Sequence, residues 1–133
     1  MPLHLDRSLF VKDQEKDRIV WFIHWEKFKL EVTVPDNGGT PDEESIILAQ
    51  DVIDHLEELQ DKAIFFFEQH LTFQKKYQLI GIEMLSAFDR HGARIILTYN
   101  NDQDGYLLIE AGINQTHQTK REYQVAYAVV TYC

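Results

Sequence analysis

Cysteine is almost absent: the one thiol belongs to Cys133, so neither an internal disulfide nor a cysteine-built metal centre is available. Basic side chains are scarce, 13 against 22 acidic ones, and the net charge of -9 argues against nucleic acid or an anionic membrane as partner. It is compatible with a basic protein. No apolar run approaches the roughly 18 residues that a membrane-spanning helix needs, and no basic segment leads into an apolar one near Met1, so a soluble cytoplasmic protein is expected. Motifs of catalysis are missing too. Gly38 and Gly39 precede a helical stretch that opens with acid, outside any G-x-x-x-x-G-K frame, and Ser8, Ser45 and Ser86 stand in no G-x-S-x-G elbow. Carboxylates are so abundant that pairing them into an acid–base couple has no specificity.

What the chain does have is apolar content, 44% hydrophobic with 12% aromatic, which suffices for the core of a single domain spanning 1–133. The most strongly patterned stretch is 40–73. At about 100° per residue, Ala49, Val52, Leu56, Leu59, Ala63, Phe67 and His70 share one arc, which predicts one long amphipathic helix ending near His70 and Leu71. Thr40 or Asp42 supplies the cap, Pro41 fits the first turn, and Glu43 and Glu44 suit the positive helix end. The opposite pole carries Asp51, Asp54, Glu57, Glu58, Asp61 and Glu68, with Lys62 at its margin. Two apolar residues, Ile47 and Phe65, project from that acidic pole. A charged stripe is ordinarily a solvated face, but an aromatic ring set among carboxylates is a candidate contact.

Around the helix, extended segments dominate. A short strand is expected over 9–12, then a charged turn over 13–17. Over 18–25, Ile19, Trp21, Ile23 and Trp25 alternate with Val20, Phe22 and His24, apolar on both faces as in a covered strand. Phe28, Leu30, Val32 and Val34 alternate with polar residues in the pattern of a half-buried strand, after a reversal at Glu26 and Lys27. The segment 35–41 reads as a loop. Further strands are expected over 80–88, 93–99, 106–112 and 123–132, with loops at 89–92, 100–105 and 114–122. Strands, one helix, then strands on short loops indicate an α+β fold: a single antiparallel sheet of six or seven strands with the helix across one face.

Three ligand patterns are weighed. Asn100, Asn101, Asp102, Gln103, Asp104 and Gly105 resemble half of a calcium loop, but Ala111 stands where the closing glutamate belongs, so a hairpin turn is the expectation. His4, His24, His55, His70, His91 and His117 lack metal-ligand spacing, and neither a metal nor another cofactor is expected. Asn114, Gln115 and Thr116 match a glycosylation sequon by chance.

A tryptophan-rich hairpin, a long acidic helix, and then the texture of 95–99, 102–105 and 107–109 resemble small bacterial α+β domains that include immunity proteins of polymorphic toxin systems. Such proteins are small, cytoplasmic and acidic, and bind and block a cognate toxin. The resemblance implies a basic toxin as partner and transfers no functional residue. The leading expectation is therefore a non-enzymatic protein-binding module in which Asp54, Glu57, Glu58 and Asp61 steer a basic partner and Phe65 anchors it. A homo-oligomer joined through Phe65 or the sheet edge is the second reading. A small-molecule pocket between sheet and helix, near His24, Trp25 and His70, is the third.

Overall fold

A computed structural model describes residues 4–15, 18–26, 29–70, 77–86, 93–101, 107–115 and 123–132. Among the described residues, eight strands form one sheet: β1 (Val11–Glu15), β2 (Arg18–Trp25), β3 (Leu30–Asn37), β4 (Thr40–Pro41), β5 (Tyr77–Met84), β6 (Ile95–Asn101), β7 (Leu107–Gln115) and β8 (Tyr123–Tyr132). Two helices, α1 (Glu43–Asp54) and α2 (Leu56–His70), lie between β4 and β5. The sheet order is β1-β2-β3-β5-β6-β7-β8, with β4 paired to β3 off that path. All neighbours are antiparallel except β3 and β5, which run parallel. That parallel pair corrects the wholly antiparallel expectation. A parallel connection must carry the chain back along the sheet, and α1 with α2 is the crossover that does so.

The strand alternation read from the sequence places one row of side chains under the helices. Ile23, Val32, Ile82, Leu97, Ala111 and Ala128 are successive partners from β2 to β8, and Met84, Ile95, Ile113 and Val125 form a second row. Val32, Leu97, Ala111 and Ile113 are fully buried, and each branched side chain so removed from water contributes on the order of 1.5 to 3 kcal/mol. Trp21, Ile23 and Trp25 pack against this core, while Val20 is buried outside its cluster. Leu5 and Phe10 close the core from the N-terminal side, where the Leu5 N–H donates to Gln50 of α1 at 2.7 Å.

The expected loop over 35–41 is mostly strand. Asn37 pairs with Thr40 across a two-residue turn, and Gly38 and Gly39 have φ of 63° and 92°. A turn with both central residues at positive φ is the tight hairpin form that glycine permits without strain. Hence β4 exists, and the strand count exceeds the expected six or seven. The charged segment over 13–17 is likewise strand as far as Glu15, paired with Arg18. The reversal between β2 and β3 places Lys29 at φ 50° with its N–H donating to the Glu26 carbonyl at 3.2 Å. The expected loop at 89–92 lies outside the described residues.

Asp42, not Thr40, caps α1, and Pro41 precedes the cap instead of occupying the first turn. The carboxylate accepts from the Ser45 hydroxyl at 2.6 Å, the Ser45 N–H at 3.2 Å and Asn37 at 3.0 Å. The Ser45 hydroxyl is the largest influence holding the Asp42 pKa below its usual 3.8, against an opposing desolvation. A carboxyl whose folded pKa is lowered stabilises the fold above its unfolded value, and that contribution disappears as pH falls through the folded value. Asp42→Ala is expected to lower unfolding free energy by about 0.5 to 2 kcal/mol at neutral pH, whereas Asp42→Asn keeps most of the cap. Urea denaturation of the two variants checks this.

The long helix is broken at His55, whose φ of -115° and ψ of 22° leave the helical region. The backbone ladder nearly survives: the His55 N–H donates to Asp51 at 3.1 Å and the Leu59 N–H to His55 at 3.0 Å. The imidazole Nδ1 also lies 2.9 Å from the Asp51 carbonyl. A side chain competing for a helical carbonyl, at a junction of two weak helix formers, favours termination there. Glu57 and Glu58 then open α2 favourably. The break lets α1 pack over β3 and β5 while α2 packs over β8 and, through Phe67, against Tyr77 of β5 and Tyr99 of β6. Among the described residues no helix is long and apolar enough to cross a membrane.

Candidate functional site

The core arc holds across the break: Ala49, Val52, Leu59, Ala63 and Phe67 are buried, as is Ile53, with Leu56 partly so. The His70 side chain lies outside the described residues. At the opposite pole, Asp54, Glu57, Glu58, Asp61 and Phe65 are all exposed. Phe65 is 66% exposed and Ile47 55%. Asp54 is the last residue of α1 and accepts from Gln50 at 2.9 Å, so it stands across the break from the other four. Glu58 is 3.7 Å from Lys62 one turn on. Both ends of that pair are exposed, which makes it a weak surface contact that leaves the carboxylate available.

Asp51 departs from the expected pole. Its carboxylate is largely covered and accepts a hydrogen bond from the Tyr123 hydroxyl, while Lys62 donates to the Tyr123 carbonyl at 3.1 Å. Asp51 on α1 and Lys62 on α2 thus tie the start of β8 to both helices. The wheel could not assign this role, because the partner lies 72 residues away in sequence.

His55 ends α1 beside the same acid. The hydrogen bond to the Asp51 carbonyl is the main cause that raises its pKa above 6.5; burial opposes it, and the Asp51, Glu58 and Asp54 carboxylates add to the rise. A histidine with a raised folded pKa contributes stability that is complete below its unfolded pKa and fades as pH rises through the folded value. With 48% of the side chain exposed, the contribution is small. Wild type should gain stability relative to His55→Gln as pH falls from about 8 to about 5.5, a difference that chemical denaturation at the two pH values measures.

Among the described residues, several concavities border these elements. A shallow groove of about 490 Å³ lies between α2 and β8, with Phe65, Phe66, Tyr123 and Val125 in its walls and Lys62 at its margin. A second, of about 330 Å³, lies at the helix break, where Trp25, Leu56 and Leu79 form an apolar wall beside Glu57 and Gln60. A third, of about 170 Å³, is on the outer face of the sheet near Glu31, Thr33, Glu83 and Thr98. There Arg18 pairs with Glu83 at 3.1 Å.

The acidic pole therefore divides. Glu57 borders the Trp25 concavity on one flank of α2, and Phe65 borders the β8 groove on the other. His24 and Trp25 do not converge on one pocket, since consecutive strand residues point to opposite faces: Trp25 packs on the core, while His24 is exposed, 3.7 Å from Glu26.

Among the described residues no group of three or more histidine, cysteine, aspartate or glutamate side chains is placed to hold a metal ion. Of the calcium-like run, Asn100 and Asn101 belong to β6, and 102–105 lie outside the described residues. Ala111 is buried within β7. Comparison with known protein families, curated proteins and solved structures finds no match.

Proposed function

We propose that this chain is a non-enzymatic protein-binding domain that presents the exposed pole of α2 to a basic partner. The observation that carries the reading is Phe65, an aromatic ring 66% exposed amid Glu58, Asp61 and their neighbours. Burying such a ring against a partner supplies affinity, while surrounding carboxylates accelerate encounter and reject acidic proteins. Asp54, Glu57, Glu58 and Asp61 steer; Phe65 anchors. An immunity-type inhibitor that blocks a basic toxin is the specific form of this activity, and the order of elements and the charge of -9 support it. The experiment is capture from source-cell lysate at low and moderate salt, with wild type and a Phe65→Ala, Glu58→Gln double variant. A basic protein held by wild type, released by salt and lost by the variant is the expected result. Equal capture by both chains moves the contact away from α2.

A further inference from the structure

The cavity at the helix break differs in kind from its neighbours. Ile53 precedes the break and Leu56, Glu57 and Gln60 follow it, so the two helices part over Trp25, the last residue of β2, and Leu79 of β5. Ile53 is buried, and Trp25, Leu56 and Leu79 are half-buried, which makes the walls apolar. Its volume, about 330 Å³, falls within the range of about 300 to 1,000 Å³ that small organic ligands occupy. Two polar side chains stand in this apolar lining. Among the described residues, neither the Glu57 carboxylate nor the Gln60 amide is engaged in a hydrogen bond or ion pair. The other concavities have their charges committed. In the groove between α2 and β8, Lys62 is held by the Tyr123 carbonyl at 3.1 Å and by Glu58 at 3.7 Å, and on the outer face Arg18 holds Glu83 at 3.1 Å.

We infer that this cavity binds a small aromatic amine, with its ring against Trp25, Leu56 and Leu79 and its protonated nitrogen at Glu57 and Gln60. Three properties select that class. An apolar wall that includes an indole takes a flat ring, because aromatic pairs attract beyond the area they bury. A carboxylate and an amide oxygen both accept, so the polar end of the ligand has to donate, and an ammonium carries three N–H groups. The local field excludes an anion. Asp54, Glu58 and Asp61 flank Glu57 along the chain and are exposed with it, whereas the positive end of α2 contributes only about half a charge. Four carboxylates outweigh it. The ammonium also gains from the face of the Trp25 ring.

The site is independent of the basic partner proposed above, since Phe65 borders the other flank of α2, and it is tested on the protein alone. The probes are tryptamine, its uncharged analogue tryptophol and its anionic analogue indoleacetate. In a proton–nitrogen correlation spectrum, the Trp25 indole N–H should shift saturably with tryptamine, less with tryptophol and not with indoleacetate. The Trp21 indole N–H, which donates to Asp36 at 2.7 Å, should stay in place. Glu57→Gln, at an exposed position, should bind tryptamine about tenfold more weakly through loss of a charged hydrogen bond, and tryptophol as before. Leu56→Trp fills the cavity and should abolish the calorimetric heat of both compounds; if that variant loses its native circular dichroism, Glu57→Gln alone decides. A Trp25 resonance that tryptamine does not move overturns the inference. Equal responses to tryptamine and indoleacetate, or tryptamine affinity unchanged in Glu57→Gln, overturn it as well. The partner is tested at Phe65 and Glu58, so either reading can fail while the other stands.

Discussion

Phe67→Ala is expected to lower the unfolding free energy by about 3 to 5 kcal/mol, the range for deleting a ring from a core that relaxes incompletely. Phe67 is fully buried on α2, 5.5 Å from the Tyr99 ring in an edge-to-face arrangement and 5.3 Å from the Tyr77 ring. Tyr77 and Tyr99 are themselves edge-to-face at 6.4 Å, so the three rings join α2 to β5 and β6. Such pairs add about 0.5 to 1.5 kcal/mol beyond burial. Tyr99 is fully buried, and desolvation pushes its hydroxyl pKa far above 10. Its ring cannot swing into the vacated space without carrying that hydroxyl through apolar surroundings, which limits collapse of the cavity. Against a typical total of about 5 to 15 kcal/mol, the loss removes a large share of stability. Urea unfolding followed by circular dichroism measures it. A loss below about 1 kcal/mol would mean that α2 is not seated on β5 and β6 as described.

Phe67 is legible as core from the sequence alone, because helical periodicity places it with Ala63 and Leu59 regardless of what lies opposite. The bounds of β8, at 123–132, and of β2, at 18–25, were legible, but the bulge in β8 that turns Val125 to the core and Val129 outward was not. Nor was the break at His55. It contains neither proline nor glycine, and it depends on a side-chain hydrogen bond to Asp51, whose carboxylate is itself drawn inward by Tyr123. A tertiary contact of that range leaves no local pattern.

The parallel pairing of β3 with β5 was hidden for a similar reason. Alternation tells which face a residue occupies, not which strand lies beside it. Of the candidate site, exposure of Asp54, Glu57, Glu58, Asp61 and Phe65 followed directly from the wheel. Their separation onto two flanks did not, because it depends on where Trp25 and Tyr123 meet α2.

The second large effect concerns the proposed basic partner. Phe65→Ala should weaken the complex by about 2 kcal/mol or more, close to thirtyfold, since truncating an aromatic anchor removes buried area that the surrounding contacts do not replace. Glu58→Gln should act mainly on the association rate, with an effect that shrinks as salt screens the field within about 8 to 10 Å. Neither change should unfold the domain. Phe65 is exposed, and the Glu58–Lys62 pair at 3.7 Å is a surface contact worth at most about 1 kcal/mol.

The decisive measurement is calorimetric titration of the captured basic partner into wild type and into the Phe65→Ala, Glu58→Gln variant, with urea midpoints recorded for both. An affinity loss of about thirtyfold or more at unchanged midpoint is the result expected of an α2-pole binder. Equal affinity for the two proteins would contradict it.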